Sequence, residues 1–204
     1  KIQTTGLAPF LMSELLNSKH NKKTGVIQID TDGLWVIFQH FCLDYNSKQD
    51  ILYESAIPRF LDLFDSYNLK ATFFVVGKDL LYPERLKLLE EVVRRGHEIA
   101  NHTMTHREGF SLLSYQDKLR EIQDAQSIIQ EKLGITTRGF RAPSNDLDCD
   151  VLKILENEGY AYDSSLMPTY YGPLLKKIKF SSLKITRKDH YLGRFVYGFS
   201  PLKP

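Results

Sequence analysis

Two histidines four residues apart, His102 and His106, are the side chains whose types and spacing most directly suggest metal chemistry. Imidazoles at positions i and i+4 meet on one face of a helical turn, where both can bind the same cation. The chain has six histidines in 204 residues, so composition alone produces such a pair in roughly one chain in five. The pair therefore predicts a metal site only together with a third ligand.

Asp30 and Asp32 offer that third ligand. They close an apolar run that begins at Val26, which predicts a buried strand ending in a turn at Gly33. Side chains at i and i+2 of a strand share a face, so both carboxylates can reach one pocket. One would complete a site of two histidines and one carboxylate, and the other would be a general base for water. The competing interpretation is a structural Asp-x-Asp-Gly turn.

Two later segments carry further polar groups at predicted strand ends. Arg141 closes a short apolar segment before Pro143, and its guanidinium would hold a neighbouring carboxylate ionised and oriented. The alternative for Arg141 is a surface salt bridge. Asp163 follows Tyr162 at the end of another strand-like segment, where an acid could equally be a helix N-cap.

The order of these motifs resembles the polysaccharide deacetylases, carbohydrate esterase family 4 or the NodB-homology domain, in a variant with an Asp-x-Asp first motif. The matching motifs are Asp-x-Asp-Gly at 30–33, Gly-His-Glu-Ile-Ala-Asn-His-Thr-x-x-His at 96–106, Phe-Arg-x-Pro at 140–143 and Tyr-Asp-Ser-Ser at 162–165. The second motif is specific and the fourth is weak. The resemblance covers about residues 24–170.

The resemblance implies a role for each residue of the predicted centre. Asp32, His102 and His106 match the metal ligands of the family. Asp30 matches the catalytic base, and Arg141 matches the arginine that pairs with this base. The implied cofactor is a divalent ion, with zinc as the first choice and cobalt, nickel or manganese able to use the same ligands.

The implied substrate-binding residues are Ser144, Tyr162 and Asp163. A backbone N–H near Ser144 matches an oxyanion donor of the family, and Tyr162 could stack on a sugar ring or pack in the core. His97 lies at the start of a predicted strand, at a position where the family has no ligand, so we interpret it as structural.

Two departures from the family pattern concern the last motifs. Asp163 is not followed by the second Asp or the Trp that many members have, and no convincing late Leu-x-His motif, which supplies a general acid, is found. His190 is the only histidine after His106 and has polar neighbours. Either the acid lies beyond this chain, another group replaces it, or the enzyme is incomplete.

Apolar periodicity predicts alternating strands and helices. After a first strand that closes at Asp30, strands are predicted at 71–76, 97–101, 140–143 and 160–164, and helices at 51–67, 83–95, 114–133 and 147–157. This alternation predicts a parallel α/β sheet, and polar groups at several strand ends favour a (β/α) barrel over an open sheet. The resemblance implies a distorted, incomplete barrel of the glycoside hydrolase and deacetylase type.

Charge divides the chain unevenly. The segment 172–204 has a net charge of +7, against +2 for the whole chain. We predict an N-terminal extension at 1–23, the barrel core at 24–171, and a basic C-terminal segment at 172–204 that either completes the barrel or leaves it partial. The basic segment could touch an acidic membrane surface or remain solvated. It has no motif for nucleic acid, so no nucleic-acid partner is expected.

Other features of the sequence place limits on its class. The length suits one domain, and the two cysteines, Cys42 and Cys149, provide no disulfide framework or metal site. No segment is long enough to span a bilayer. The start lacks the basic and apolar regions of a secretory signal, which favours a cytoplasmic location. The sequence does not indicate an oligomeric state.

We therefore expect a metal-dependent carbohydrate deacetylase, a hydrolase acting on C–N bonds other than peptide bonds. It would remove N-acetyl, or O-acetyl, groups from a cell-wall or surface polysaccharide, with an acetylated glycan as partner. One alternative is a deacylase or deformylase of a small or lipid-linked sugar. Another is a barrel that binds metal and glycan without turnover, although Asp30 and Asp32 would not both be needed for metal binding alone.

Overall fold

A computed structural model of the protein describes residues 25–40, 43–45 and 50–166. In this part of the chain five strands form one sheet: β1 Gln28–Asp30, β2 Thr72–Val75, β3 Glu98–Asn101, β4 Gly139–Phe140 and β5 Tyr162–Asp163. The α-helices are α1 Leu34–His40, α2 Ile57–Ser66, α3 Pro83–Arg94, α4 Tyr115–Leu133 and α5 Cys149–Asn157. A π-helical turn, Leu52–Ala56, precedes α2, and 3₁₀ turns occupy Gly77–Leu81, Phe110–Leu112 and Pro143–Asn145.

The five strands lie in the order in which the chain makes them, and each neighbouring pair is parallel. A strand order that never reverses, with right-handed crossovers, places the connecting helices on one face of the sheet. This is the wall of a barrel, whereas a doubly wound sheet reverses its order at a switch point. The predicted distorted, incomplete (β/α) barrel is therefore confirmed.

The main core fills the space between the sheet and the helices. Phe73 and Val75 of β2 and Ile99 of β3 are buried there with Leu61 of α2 and Leu89 of α3. Each such side chain contributes roughly 1.5–3 kcal/mol by leaving water. A second core lies between α4, α5 and β4. The two cores fix the strands from which the candidate site is built.

The helix ends follow the local sequence. Ser114 precedes α4, and its hydroxyl oxygen accepts a hydrogen bond from the Asp117 N–H at 3.1 Å. Gly134 ends the same helix with a φ of 70°, a left-handed conformation that favours glycine. The predicted helix at 114–133 is therefore found within one residue of its expected bounds.

Other predicted bounds need correction. β1 begins at Gln28, and Val26 is 74% exposed. The predicted buried strand is half-buried, because among the described residues β1 pairs only with β2. β4 ends at Phe140 since Pro143 starts a 3₁₀ turn, and α1 was not predicted. The N-terminal extension, the basic C-terminal segment and His190 lie outside the described residues.

No helix in the described part of the chain has the length and apolar character needed to cross a membrane.

Candidate metal centre and catalytic base

Asp32, His102 and His106 converge just beyond the carboxyl ends of β1 and β3. Nε2 of His102 lies 3.3 Å from Oδ1 of Asp32, and Nε2 of His106 lies 3.5 Å from Oδ2. Each residue offers a ligand atom, and the three atoms lie within 4.8 Å of one another. Both imidazoles are buried. The structure thus brings the three predicted metal ligands together.

The histidine pair does not lie on a helical turn, so that expectation is wrong. The segment that follows β3 is irregular, with positive φ angles of 65° at Thr103 and 49° at His106. These angles fold the segment back and place the two imidazole centroids 4.9 Å apart. The spacing identified the pair correctly, but a different backbone conformation brings the rings together.

The donor set fits a divalent cation. Nδ1 of His102 lies 2.7 Å from the Arg141 carbonyl oxygen, so Nδ1 carries the proton and the Nε2 lone pair faces Asp32. Oδ1 of Asp32 and both ring nitrogens of His106 are buried without a hydrogen-bond partner among the described residues. Buried polar atoms normally have partners. A cation among two imidazoles and one carboxylate would give a partner to Oδ1 of Asp32 and to one ring nitrogen of His106.

The charges of the three residues are strongly coupled. Burial disfavours ionisation of Asp32, but the adjacent His102 imidazole holds the pKa of this carboxylate below the usual value. Burial disfavours the charged form of His102 too, but Asp32 raises the pKa of this imidazole. Burial, followed by the charge of His102, lowers the pKa of His106. His102 is therefore the more basic of the two imidazoles.

Asp30 pairs with Arg141 beside this centre. Nη1 of Arg141 donates to Oδ1 of Asp30 at 2.5 Å, and Nη2 donates to Oε1 of Gln28 at 2.6 Å. The Ser164 carbonyl and hydroxyl oxygens accept from Nε at 3.0 Å and Nη2 at 2.9 Å. The guanidinium lies over the Phe74 ring at 4.1 Å. These contacts fix one orientation of the Arg141 side chain, which is 14% exposed. The pair with Asp30 is therefore not a surface salt bridge.

The family model for polysaccharide deacetylases matches residues 45–162 of this chain. The chain belongs to this family. The match includes both histidines of the candidate metal centre and Arg141, and it ends at β5. Asp30 and Asp32 precede the matched range, so their assignment depends on the geometry described above.

Curated relatives of this polysaccharide deacetylase family member include two bacterial enzymes. A chitooligosaccharide deacetylase from Sinorhizobium fredii is 35% identical over 105 residues, which cover 51% of this chain and 47% of the relative. A peptidoglycan deacetylase from Helicobacter pylori is 29% identical over 133 residues, which cover 65% of this chain and 44% of the relative. The chain spans less than half the length of these relatives.

Solved structures support the fold. An inferred polysaccharide deacetylase from Mycobacterium smegmatis aligns with a TM-score of 0.60 and 24% identity, covering 70% of this chain and 50% of that one. A CE4 family pseudoenzyme from Bacillus anthracis aligns with a TM-score of 0.54 and 24% identity, covering 70% and 43%. At these identities the likeness shows the fold alone.

The predicted substrate-binding residues lie around the centre in different settings. Ser144 has a φ of 53°, and its hydroxyl donates to the Glu108 carboxylate at 3.1 Å. The Tyr162 ring packs on Gly139, and burial, followed by Glu98, raises its pKa to about 12. Because Glu98 begins β3, Tyr162 extends away from the strand end that carries the ligands. Substrate contact by Ser144 or Tyr162 stays a prediction.

Asp163 takes part in a local turn. Its carboxylate accepts hydrogen bonds from the Ser165 N–H at 3.1 Å and from the Ser165 hydroxyl at 2.6 Å. The Ser165 hydroxyl oxygen in turn accepts from the Ala142 N–H at 2.8 Å. Burial raises the pKa of Asp163. Asp163 therefore supports the backbone after Arg141 in this structure, and a substrate contact for it stays a prediction.

A buried polar network lies behind the Asp-x-Asp motif. Asp79 is fully buried and accepts from Trp35 Nε1 at 2.7 Å, from the Tyr53 hydroxyl at 2.8 Å and from Arg85. Arg85 also pairs with Asp50 at 3.2 Å, and Asp50 accepts the first N–H of α1 at 2.9 Å. Burial raises the pKa of Asp79, although Arg85 opposes the shift. The network fixes the chain directly after Asp32.

Some residues of the centre were not predicted as members. Gln28 precedes Asp30 by two positions on the same strand, so strand alternation could have identified it as a partner of Arg141. Ser164 was part of the weak fourth motif, but its contact with Arg141 was not expected. His97 is structural in the described fold, because its Nδ1 accepts the Ala71 N–H at 3.2 Å and its ring contacts Phe73.

Proposed function

We propose that this protein is a metal-dependent hydrolase that removes N-acetyl groups from an amino sugar of a cell-wall or surface polysaccharide. The observation that supports it best is the convergence of Asp32, His102 and His106 next to the Asp30–Arg141 pair. A metal site alone would need one aspartate, whereas hydrolysis needs a ligand and a base. The chitooligosaccharide and peptidoglycan activities named for its relatives agree with this substrate class.

The proposed cofactor is a divalent ion held by Asp32, His102 and His106, with zinc as the first choice and cobalt, nickel or manganese as substitutes. When bound, such an ion supplies a Lewis acid that activates water and polarises an acetyl carbonyl. The hydrogen bond from His102 Nδ1 to the Arg141 carbonyl fixes the tautomer that presents the Nε2 lone pair.

Asp30 is the proposed general base. Its carboxylate would accept a proton from the attacking water, while Arg141 keeps it oriented through the 2.5 Å hydrogen bond. A backbone N–H near Ser144 is the proposed oxyanion donor. The leaving amine needs a proton, and Asp30 has just gained one, so we assign this second transfer to Asp30. His190, outside the described residues, is the alternative acid.

Acetate release tests the proposal. The chain would be treated with a chelator and reconstituted with Zn²⁺ or Co²⁺, then given chitin oligosaccharides and peptidoglycan. Asp30→Asn should retain the ion but lose most turnover, because an amide cannot accept the proton from water. Asp32→Asn should weaken ion binding itself. Asp62→Asn, which changes an exposed carboxylate on α2, is the control and should match the parent protein.

The outcomes separate the candidate functions. Ion binding without acetate release from any acetylated glycan would indicate a barrel that binds metal and glycan without turnover. Formate release, or activity restricted to small or lipid-linked sugars, would indicate the alternative deacylase. The reverse pattern of the two Asn variants would exchange the roles of Asp30 and Asp32. Loss of neither property would return the motif to a structural turn.

A further inference from the structure

The segment between the two histidine ligands has an unfavourable backbone conformation. Thr103 is β-branched and has a φ of 65°, and His106 has a φ of 49°. Positive φ angles are sterically disfavoured for side chains other than glycine, and most of all for β-branched ones. Such a conformation persists only when surrounding contacts hold it. The contacts that hold this segment are therefore part of the metal centre.

Glu121, on the buried side of α4, makes three hydrogen bonds to the segment. Its carboxylate accepts from the Thr105 N–H at 2.8 Å and from the Thr105 hydroxyl at 2.5 Å. Its backbone carbonyl accepts from the Met104 N–H at 2.9 Å. The residue is 9% exposed, so water competes weakly for these bonds. One residue of a helix thus binds two consecutive residues of the ligand segment.

Other contacts hold the first half of the segment. The Asn101 side-chain oxygen accepts from the Thr103 N–H at 2.8 Å. The N–H groups of Gly77 and Lys78 donate to the carbonyls of Thr103 and Met104 at 2.9 and 2.8 Å. Glu121 instead binds Thr105, the residue directly before His106. Its side chain therefore holds the second half, where the second ligand lies, together with the Thr103 hydroxyl oxygen, which accepts from the His106 N–H at 3.2 Å.

The two ligands depend on the backbone to different degrees. His102 has its own anchors, because its N–H donates to the Val75 carbonyl at 3.0 Å and Nδ1 contacts the Arg141 carbonyl. Neither ring nitrogen of His106 has a hydrogen-bond partner in the described residues. The direction of the His106 ring is thus set through the backbone that carries it. A change at Thr105 should disturb His106 and leave His102 in place.

We infer that Glu121 is a positioning residue of the metal centre, which presents His106 to the ion by binding Thr105. The inference rests on the proposed function, since it takes the three ligands to bind a divalent ion. It assigns a role to a helix residue that has no contact with the reacting groups. The length and register of α4 thereby become part of the metal site.

Titration with Co²⁺ tests this role without an activity assay, because the visible absorption of Co²⁺ reports the number and geometry of its ligands. Glu121→Ala should weaken Co²⁺ binding by about 10- to 100-fold, the usual effect of losing a residue that orients a ligand. The visible absorption bands of Co²⁺ bound to this variant should also change, since the contact between His106 and the ion is weakened. Glu121→Gln should remain within about threefold of the parent, because an amide can accept the Thr105 N–H and donate to the hydroxyl.

Glu131→Ala is the matched control, because Glu131 lies on the same helix and its side chain is 64% exposed. Equal Co²⁺ affinity and equal spectra for Glu121→Ala and Glu131→Ala, with matching circular dichroism, would overturn the inference. If Glu121→Ala does not fold, Thr105→Val replaces it by removing one hydrogen bond at nearly constant volume. An unchanged affinity for Thr105→Val would also overturn it. Failure of the parent protein to bind Co²⁺ would instead refute the proposed metal centre itself.

Discussion

Replacement of Arg141 by Ala should lower turnover without a matching loss of metal affinity. The guanidinium is the charged partner of Asp30 at 2.5 Å, and a hydrogen bond to a charged group contributes roughly 1.5–3 kcal/mol. Because the Asp30 side chain is 36% exposed, solvent screening favours the lower end, about 1.5–2 kcal/mol. At about 1.36 kcal/mol per decade, kcat/KM for acetate release should fall by about 10- to 30-fold.

Metal affinity should respond differently to the same change. The contact of Arg141 with His102 uses the backbone carbonyl, which Ala retains, so Co²⁺ affinity should stay within about threefold of the parent. Arg138→Ala, an exposed arginine three residues earlier, is the control. Parallel loss of Co²⁺ affinity and kcat/KM would mean that Arg141 acts through the ligand. Turnover equal to that of the control would mean that Asp30 needs no partner.

Three further variants test other parts of the molecule. Arg85→Met leaves two buried carboxylates without their cation and should lower the free energy of unfolding in urea by about 3–5 kcal/mol. Its control is Arg94→Met, which changes an exposed ion pair and should have no measurable effect. Gly139→Ala would place a Cβ 2.2 Å from the Tyr162 ring and should lower the free energy of unfolding by about 1–3 kcal/mol in the same assay. Its control is Gly25→Ala, whose Cβ would have no atom within 4 Å and which should leave stability unchanged. His190→Ala should leave acetate release unchanged, and a shift in the basic limb of its pH–rate profile would instead make His190 the acid.

The strands and helices were predictable where the pattern is local. The run at 71–76 is apolar and rich in β-branched and aromatic residues, and Thr72–Val75 is fully buried as β2. The helix at 114–133 has a capping serine and a terminal glycine in its own sequence. β1 was less well predicted, because whether Val26 is covered depends on partners far away in the chain. Apolar periodicity predicts the secondary structure of a segment but does not show which distant segments cover it.

The candidate site was predictable as a set of residues but not as a geometry. Polar groups at the ends of parallel strands had to meet at one edge of the sheet, which brought Asp32 and His102 together. The backbone of 103–106 was not predictable, because its positive φ angles depend on Asn101, Glu121 and the turn at Gly77. The network around Asp79 was missed for the same reason. Nothing in the sequence around Asp79 shows that its partners are Trp35, Tyr53 and Arg85.

Arg141 acts on the centre through two different parts of one residue. Its side chain binds the proposed base Asp30, its carbonyl oxygen contacts Nδ1 of the proposed ligand His102, and its own N–H donates to the Asn101 carbonyl at 3.0 Å. Arg141, at the end of β4, therefore sets the positions of Asp30 and His102 relative to each other. A slip of β4 by one residue would turn the Arg141 side chain to the opposite face. An insertion or deletion between Gly134 and β4 should consequently abolish catalysis and metal binding together.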